Sequence, residues 1–315
     1  MKPADVTLII PCYNVEETLP RTLESVDRLD PGPETVLCID DGSEDGTKEI
    51  VKTHERARLI AHEQNSGIGA TINTGLSHTE TPLFAKIDAD IVVPSNWLEL
   101  MITEMDRSGA DFVQGRFVEE VTTIADEWRN VYPSPSFDKC AYWNKPINGA
   151  TILAETDVLR DVGGWDEDHR RAFDDIDLME RLIEAGYEVY YTPRVRSTHI
   201  RTDTWKEVLR TSWAYSNHPD SGGKPEEIED VLRRVPKHFF HLAKSIAIEA
   251  RHARVSIVWI SVLRLFFHLK WDLECALEPG ERPAGTTTPR YELPSSSAES
   301  ETQRTEPTIS SNRRH

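Results

Sequence analysis

The chain has 315 residues, 38% of them hydrophobic, enough for one core of roughly 200–250 residues or for two small domains. Its 54 acidic residues outweigh 36 basic ones, giving a formal net charge of −18, which argues against a general nucleic-acid binder because such a protein needs a positive surface. The basic set holds 11 lysines and 25 arginines. Acid excess with scarce lysine suits a protein kept soluble in concentrated salt, and an ordinary acidic cytosolic protein is the alternative.

The N-terminal residues Met1 to Asp5 lead directly into an apolar run with no signal-peptide pattern before it, so a cytoplasmic protein is expected. Val6–Pro11 is continuously apolar, as in a strand buried on both faces. Val15, Leu19, Leu23, Val26 and Leu29 then form one helical stripe. Thr35–Ile39 predicts a second strand, closed by Asp40-Asp41-Gly42-Ser43. Gly46–Arg56 predicts a helix, Ala57–Ala61 a strand and Gly69–Ser77 a helix. Thr81–Ile87 predicts a fourth strand ending at Asp88-Ala89-Asp90, followed by a helix over Trp97–Arg107 and a strand from Asp111 to Arg116. This alternation is the βαβ pattern of a mostly parallel α/β sheet.

Thr122–Pro146 is aromatic and reads as loop, with Pro133 and Pro135. Asn148–Ala154 predicts a strand returning to the sheet. Asp174–Ala185 predicts an amphipathic helix capped by Gly186. Glu188–Tyr191 predicts another strand, followed by the stretch from Arg194 to His199.

Beyond Ser221-Gly222-Gly223 the pattern turns helical, over Ile228–Val235, Phe239–Ala250 and Val255–Leu269. The last run is apolar but interrupted by Arg264 and flanked by Arg251, Arg254 and Lys270, and a spanning helix needs about 20 apolar residues. A helix lying in a membrane interface is the favoured reading, with a packing helix and a span as alternatives. From Pro279 the sequence is too poor in apolar residues to fold. Three segments follow: 1–220, an α/β domain; 221–278, a helical extension able to associate with membrane; 279–315, a disordered tail. Cys12, Cys38, Cys140 and Cys275 lack zinc-site spacing and are expected as reduced thiols.

Three acidic clusters fall at strand ends or helix starts, where open parallel sheets bind ligands. In extended chain Asp88 and Asp90 project to the same side and can share a hard divalent cation with substrate phosphates. Such a pair also occurs in solvated loops. Asp40-Asp41-Gly42-Ser43 is equally a turn, and Asn65-Ser66-Gly67-Ile68-Gly69 can cradle a phosphate. Asp174, Asp175 and Asp177 open a helix, as capping residues or as clustered carboxylates with a raised pKa suited to a general base. His199 is a candidate metal ligand.

Taken together and in order, TLIIPCYNVEETLPRTLESV, VLCIDDGSEDGT, NSGIGATINTGL, FAKIDADIVVPSNWL, NGATILAETDVLRDVGGWDE and FDDIDLMERLIEAGYEVYYTP resemble the family 2 inverting glycosyltransferases over residues 5 to 200. The resemblance implies a GT-A fold, a Rossmann-like mostly parallel sheet with flanking helices, here followed by a helical C-terminal extension. It places Pro11, Tyr13 and Glu16 beside the nucleoside, and Asp41, alone or with Asp40, on the base. Asn65 and Gly67 lie in the loop under the nucleotide. Asp88 and Asp90 match the D-x-D of diphosphate, ribose and metal. Mn²⁺ or Mg²⁺ would be held by Asp90, with His199 nearby. Gly163, Gly164 and Trp165 match a turn lining the acceptor site, beside Asp174, and Asp175 matches the general base. The family's acidic pair is Glu-Asp, whereas this chain has Asp174-Asp175, one methylene shorter at the first position.

The implied activity is transfer of a sugar from a nucleotide-sugar, with UDP favoured, to a hydroxyl of a saccharide acceptor. Together with the composition and the apolar C-terminal run, the resemblance points to archaeal enzymes that extend dolichyl-phosphate-linked glycans for protein N-glycosylation at the inner face of the cell membrane. A dolichyl-phosphate monosaccharide synthase and a cell-surface polysaccharide glycosyltransferase are the alternatives within the class. A nucleotidyltransferase would carry a basic Gly-rich loop near the N-terminus, which PCYNVEETL is not. An inactive nucleotide-sugar-binding module would have lost the D-x-D or the base, and both are present.

Overall fold

A computed structural model describes residues 1–131, 141–144, 149–167, 174–201, 203–216, 225, 227–251 and 257–277. Four strands, β1 (Val6–Cys12), β2 (Thr35–Asp40), β3 (Ala57–Ala61) and β4 (Leu83–Ile87), run parallel in the order β3-β2-β1-β4. They are joined by α1 (Leu19–Asp27), α2 (Thr47–Lys52) and α3 (Ile68–Ser77), the crossovers a parallel sheet requires. β1 and β4 are buried along their whole length, which is why β1 reads as a continuous apolar run, while β4 buries Lys86 among apolar residues.

The sheet continues through β5 (Ile91–Val92), β6 (Phe112–Glu119), β7 (Tyr142–Trp143), β8 (Thr151–Glu155) and β9 (Val189–His199), with α4 (Trp97–Ser108) packed between β5 and β6 in sequence. The path runs β4-β8-β6-β9-β5, with β7 beside β9. β8 is antiparallel to both β4 and β6, whereas β6 and β9 are parallel. The two segments expected at 188–191 and 194–199 are one strand. Its register against β6 slips between Gly115 and Arg116, and the slip takes up Pro193, Arg194 and Val195, beginning at the proline that cannot donate to the ladder.

The loop expected over 122–146 holds, in its described part, helix α5 (Ile124–Val131) and β7. Thr122 and Thr123 cap α5 through the Asp126 carboxylate, a signal that the flanking prolines and aromatics masked. A one-and-a-half-turn helix, α6 (Thr156–Asp161), follows β8 directly, and α7 (Asp174–Glu184) ends at Gly186 with φ +92°. α8 (Trp205–Ser216) lies in a stretch given no element by the sequence pattern. The helices expected at 228–235 and 239–250 are one, α9 (Ile228–Arg251), which carries Pro236 inside it. α10 is Val258–Leu277, longer than the run expected to end at Leu269.

Two apolar clusters fill the two faces of the sheet. A third joins Ala125 and Trp128 of α5, Val208, Leu209 and Trp213 of α8, and Ile260, Trp271 and Cys275 of α10. α10 is therefore a packing helix on one face. Among the described residues no helix is long and apolar enough to cross a membrane. Cys12, Cys38 and Cys275 are buried free thiols. Cys140, Ser221 to Gly223 and the segment from Pro279 lie outside the described residues.

Candidate active site

The carboxyl ends of β1, β2 and β4 and the start of α7 carry most of the singled-out residues, because consecutive parallel strands all end on one edge. β4 stops at Ile87, so Asp88-Ala89-Asp90 is a turn and not the extended segment expected. The Ile91 amide donates to the Asp88 carbonyl at 3.1 Å. The two carboxylates consequently meet different partners.

Asp88 faces Lys86, a residue the sequence reading passed over. Lys86 is 2% exposed, and its Nζ lies 2.7 Å from Asp88 Oδ1 and donates to the Gly149 carbonyl at 3.1 Å. Burial disfavours the ammonium, but the charges of Asp88 and Asp175 outweigh it and raise its pKa. Burial pushes the Asp88 carboxyl up to about 6, against the pull of Lys86 and with the help of Asp90. The chain pattern FAKIDAD places Lys86 on the same side of β4 as Asp88. That is the only signal that could have found it.

Gly149 links this group to α7. Its amide donates to Asp175 Oδ2 at 3.0 Å while its carbonyl accepts from Lys86. A Cβ at position 149 would lie 2.7 Å from Asp175 Oδ1, so only glycine lets the carboxylate sit here. Asp175 Oδ1 also receives the Trp165 indole N–H at 3.5 Å. Burial and the adjacent Asp175 charge push Asp174 up to about 7. Asp177 is turned to Arg181 at 2.9 Å, and Arg181 donates to the carbonyls of Val162 and Gly164. Asp177 thus anchors the turn to the helix.

That turn, Gly163-Gly164, has φ values of +82° and +71°. Asn73 of α3 grips it: Nδ2 donates to the Trp165 carbonyl, and Oδ1 accepts from the Trp165 amide, both at 2.8 Å. Trp165 is buried against Phe84, ring centroids 5.8 Å apart, directly under the acidic helix start.

Asp90 points the other way. Its Oδ2 lies 3.3 Å from His199 Nε2, and His199 Nδ1 lies 3.0 Å from Glu119 Oε2. β5 and β9 pair Ile91 with His199, which brings the two together across more than a hundred residues. Burial lowers the imidazole pKa, but Asp90 and Glu119 raise it more, to about 10. Glu119 also binds Arg129 at 3.0 Å, and Arg129 binds Asp126 and Asp203, tying this corner to α5 and the approach to α8.

The donor set of Asp90 and His199 fits a divalent cation. A carboxylate oxygen and an imidazole nitrogen face each other, and the far imidazole nitrogen is oriented by Glu119, as ligand histidines are. Among the described residues no group of three or more His, Cys, Asp or Glu forms a closed metal cage, so two protein ligands would leave positions for phosphate oxygens.

The strand-two acids are largely occupied by structure. Asp41 accepts from His62 Nδ1 and from the amides of Ser66 and Gly67, each at 2.8 Å. It shapes the loop holding Asn65, which is exposed, and Gly67, which begins α3 at φ +93°. Asp40 is fully buried, and its Oδ2 accepts the amides of Gly42 and Ser43 while Oδ1 has no hydrogen-bond partner. Glu16 accepts the Gly46 amide at 2.7 Å and so staples the loop after β1 to the loop after β2. Pro11, buried, and Tyr13, half-buried, lie on the same edge.

Residues 7–160 match the family described as glycosyl transferase family 2. The chain is 25% identical over 202 residues to a glycosyltransferase, AglE, from Haloferax volcanii, covering 62% of this chain and 66% of the relative. It is 28% identical over 209 residues to a pre-mycofactocin glycosyltransferase from Mycobacterium tuberculosis, covering 62% and 42%. The chain thus spans less than two thirds of the length of these curated relatives. Its fold is similar to that of a mannosyltransferase from Pyrobaculum calidifontis solved with GDP-Man and Mn²⁺, with a TM-score of 0.53, 17% identity, and coverage of 87% of this chain and 73% of that one. It is also similar to S. aureus TarS solved with UDP, with a TM-score of 0.53, 18% identity, and coverage of 87% and 91%.

Proposed function

We propose that the chain moves a sugar, with inversion, from a nucleotide-sugar to an acceptor hydroxyl, a reading supported by the match of residues 7–160 to glycosyl transferase family 2 and by the likeness in fold to solved glycosyltransferases. The observation that carries this reading is the junction at Gly149. One backbone unit holds the carboxylate of Asp175 through its amide and the ammonium of Lys86 through its carbonyl. A general base is thereby fixed beside the group that orients Asp88.

In this scheme Asp88 and the loop of Asn65 and Gly67 hold the diphosphate and ribose, and Asp40, Asp41, Pro11, Tyr13 and Glu16 frame the nucleoside. UDP is the favoured nucleotide. Asp90 and His199 would hold Mn²⁺ or Mg²⁺, with His199 giving up its proton to do so. The cation, when bound, neutralises charge on the leaving diphosphate. Asp175 Oδ takes the proton of the acceptor hydroxyl as the hydroxyl oxygen bonds to the anomeric carbon and the bond from that carbon to the diphosphate breaks. Gly163, Gly164 and the buried Trp165 beneath Asp175 shape the acceptor side of the site, and Asp174 borders it.

The acceptor we favour is a lipid-linked saccharide of the dolichyl-phosphate kind, in protein glycosylation at the inner face of the membrane. The archaeal relative and the apolar C-terminal helices support this.

Calorimetry with UDP, GDP, dTDP and their sugars, with and without Mn²⁺ and in dilute and concentrated salt, tests the donor half. One nucleotide should bind in a metal-dependent way, and binding should be lost in Asp88→Ala and Asp90→Ala. Asp175→Asn should bind the donor normally and lose roughly 10²–10⁴-fold in transfer to a hydroxyl. Near-normal transfer by that variant overturns the assignment of the base.

A further inference from the structure

The helical layer carries a groove that the sugar-transfer chemistry does not use. It lies between α8 and α10 and encloses about 250 Å³. Its floor is apolar: Trp205, Leu209, Phe267 and Trp271, with Phe267 packed 5.8 Å from the Trp205 ring and 5.2 Å from the Trp271 ring. Its rim is cationic: Lys206, Arg210 and Lys270. Lys206 Nζ rides 5.6 Å from the Trp205 ring centroid, and Lys270 is paired with Glu274 at 3.2 Å on an open surface. Arg210 has no carboxylate partner among the described residues. In a chain of net charge −18, three cations around one aromatic cleft are a local reversal of sign.

The surface beside the groove is apolar as well. Trp259, Phe266, Leu273 and Leu277 stand at helical spacing along α10 and are 39%, 62%, 43% and 59% exposed. Lys270 falls on the border between this row and the groove. No described helix is long and apolar enough to cross a bilayer, and a helix apolar on one outward face is of the kind that lies on a membrane surface.

We propose that the α8–α10 groove seats a lipid phosphate at a membrane surface. The three cations would contact the phosphate, the aromatic floor the first carbons of the chain, and the outward row of α10 the surrounding acyl region. A cleft this small takes a head group and the start of one chain, not a whole ligand. The proposal rests on the reading of the acceptor as lipid-linked for the origin of that lipid.

Flotation of the full chain with phosphatidylcholine vesicles, with and without a polyprenyl phosphate, tests it at moderate salt. Inorganic phosphate serves as a soluble competitor. Binding should require the lipid phosphate, resist inorganic phosphate, and weaken roughly fivefold for each of Lys206→Gln, Arg210→Gln and Lys270→Gln. Phe266→Ser with Leu273→Ser, both on the exposed row, should also release the protein. Nucleotide binding should persist in every variant, showing that each is folded. Equal flotation with phosphatidylcholine alone, or unaffected flotation when Lys206→Gln, Arg210→Gln and Lys270→Gln are combined, overturns the proposal. Flotation without sugar transfer to any acceptor would overturn the transferase reading and leave the groove intact, and transfer to a soluble acceptor without flotation would do the reverse.

Discussion

Asp174 and Asp175 are neighbours in the chain, yet the fold gives them different surroundings. Asp175 is held by the Gly149 amide and the Trp165 indole, whereas Asp174 is pushed up to about 7 by burial and by the charge of Asp175. An unfolded aspartate titrates near 3.9. Between about pH 4 and pH 7 the folded chain therefore keeps a proton on Asp174 that the unfolded chain has released. This residue's contribution to stability falls as the pH rises through that window and is level above it. Asp174→Asn should remove the dependence. Its melting temperature relative to the parent should climb from pH 4 to pH 7 and level off above it. Thermal melts across that range, read as the difference between variant and parent, check the sign.

At the scale of elements, the turn before the acidic helix is set by contacts from both sides. Asn73 of α3 grips the Trp165 backbone, and Arg181 of α7 holds the carbonyls of Val162 and Gly164. Both glycines have positive φ, but a Cβ on Gly163 meets nothing within 4 Å, whereas one on Gly164 strikes Asn73 Oδ1. Gly163→Ala and Gly164→Ala should each cost about 1–2 kcal/mol of stability from the backbone alone. Gly164→Ala should in addition displace Trp165 from under Asp175 and lower transfer roughly tenfold below Gly163→Ala, as steady-state kinetics on the two purified variants would show.

The whole molecule is held together at the corner where the sheet meets the helices. His199, Glu119, Arg129 and Asp203 form one chain of charged contacts leading from the candidate metal site to the start of α8. The third apolar cluster draws on α5, α8 and α10 at once. Buried Asp272 of α10 accepts from Trp213 of α8 at 3.0 Å and from His238 of α9 at 2.8 Å. A cut after residue 220 would strip α10 from Trp128, Leu209 and Trp213. The 1–220 fragment should therefore melt several degrees lower than the full chain and expose enough apolar surface to aggregate, a difference that melting curves and light scattering would register.

The amino-acid sequence by itself determined the βαβ half, because β1, β2 and β4 are buried on both faces and so read as mainly apolar runs alternating with helical stripes, β2 and β4 leading into acids. It also determined that Asp88, Asp90, Asp174 and Asp175 lie at strand ends or helix starts. It did not show α5 and α8, whose stability comes from packing on α10 and not from a clear local pattern. Nor did it show that Pro236 lies within one continuous helix, where contacts with α10 outweigh the missing amide hydrogen bond. The distant partners inside the site were decided only by the tertiary structure. Lys86 beside Asp88 is a contact the i, i+2 spacing offered, whereas Gly149 between Lys86 and Asp175, and Glu119 behind His199, join residues distant in sequence, the first beside the β4–β8 pairing and the second across the β6–β9 pairing. No local spacing can encode such contacts, since the register between strands, not the distance along the chain, brings these atoms within hydrogen-bond reach.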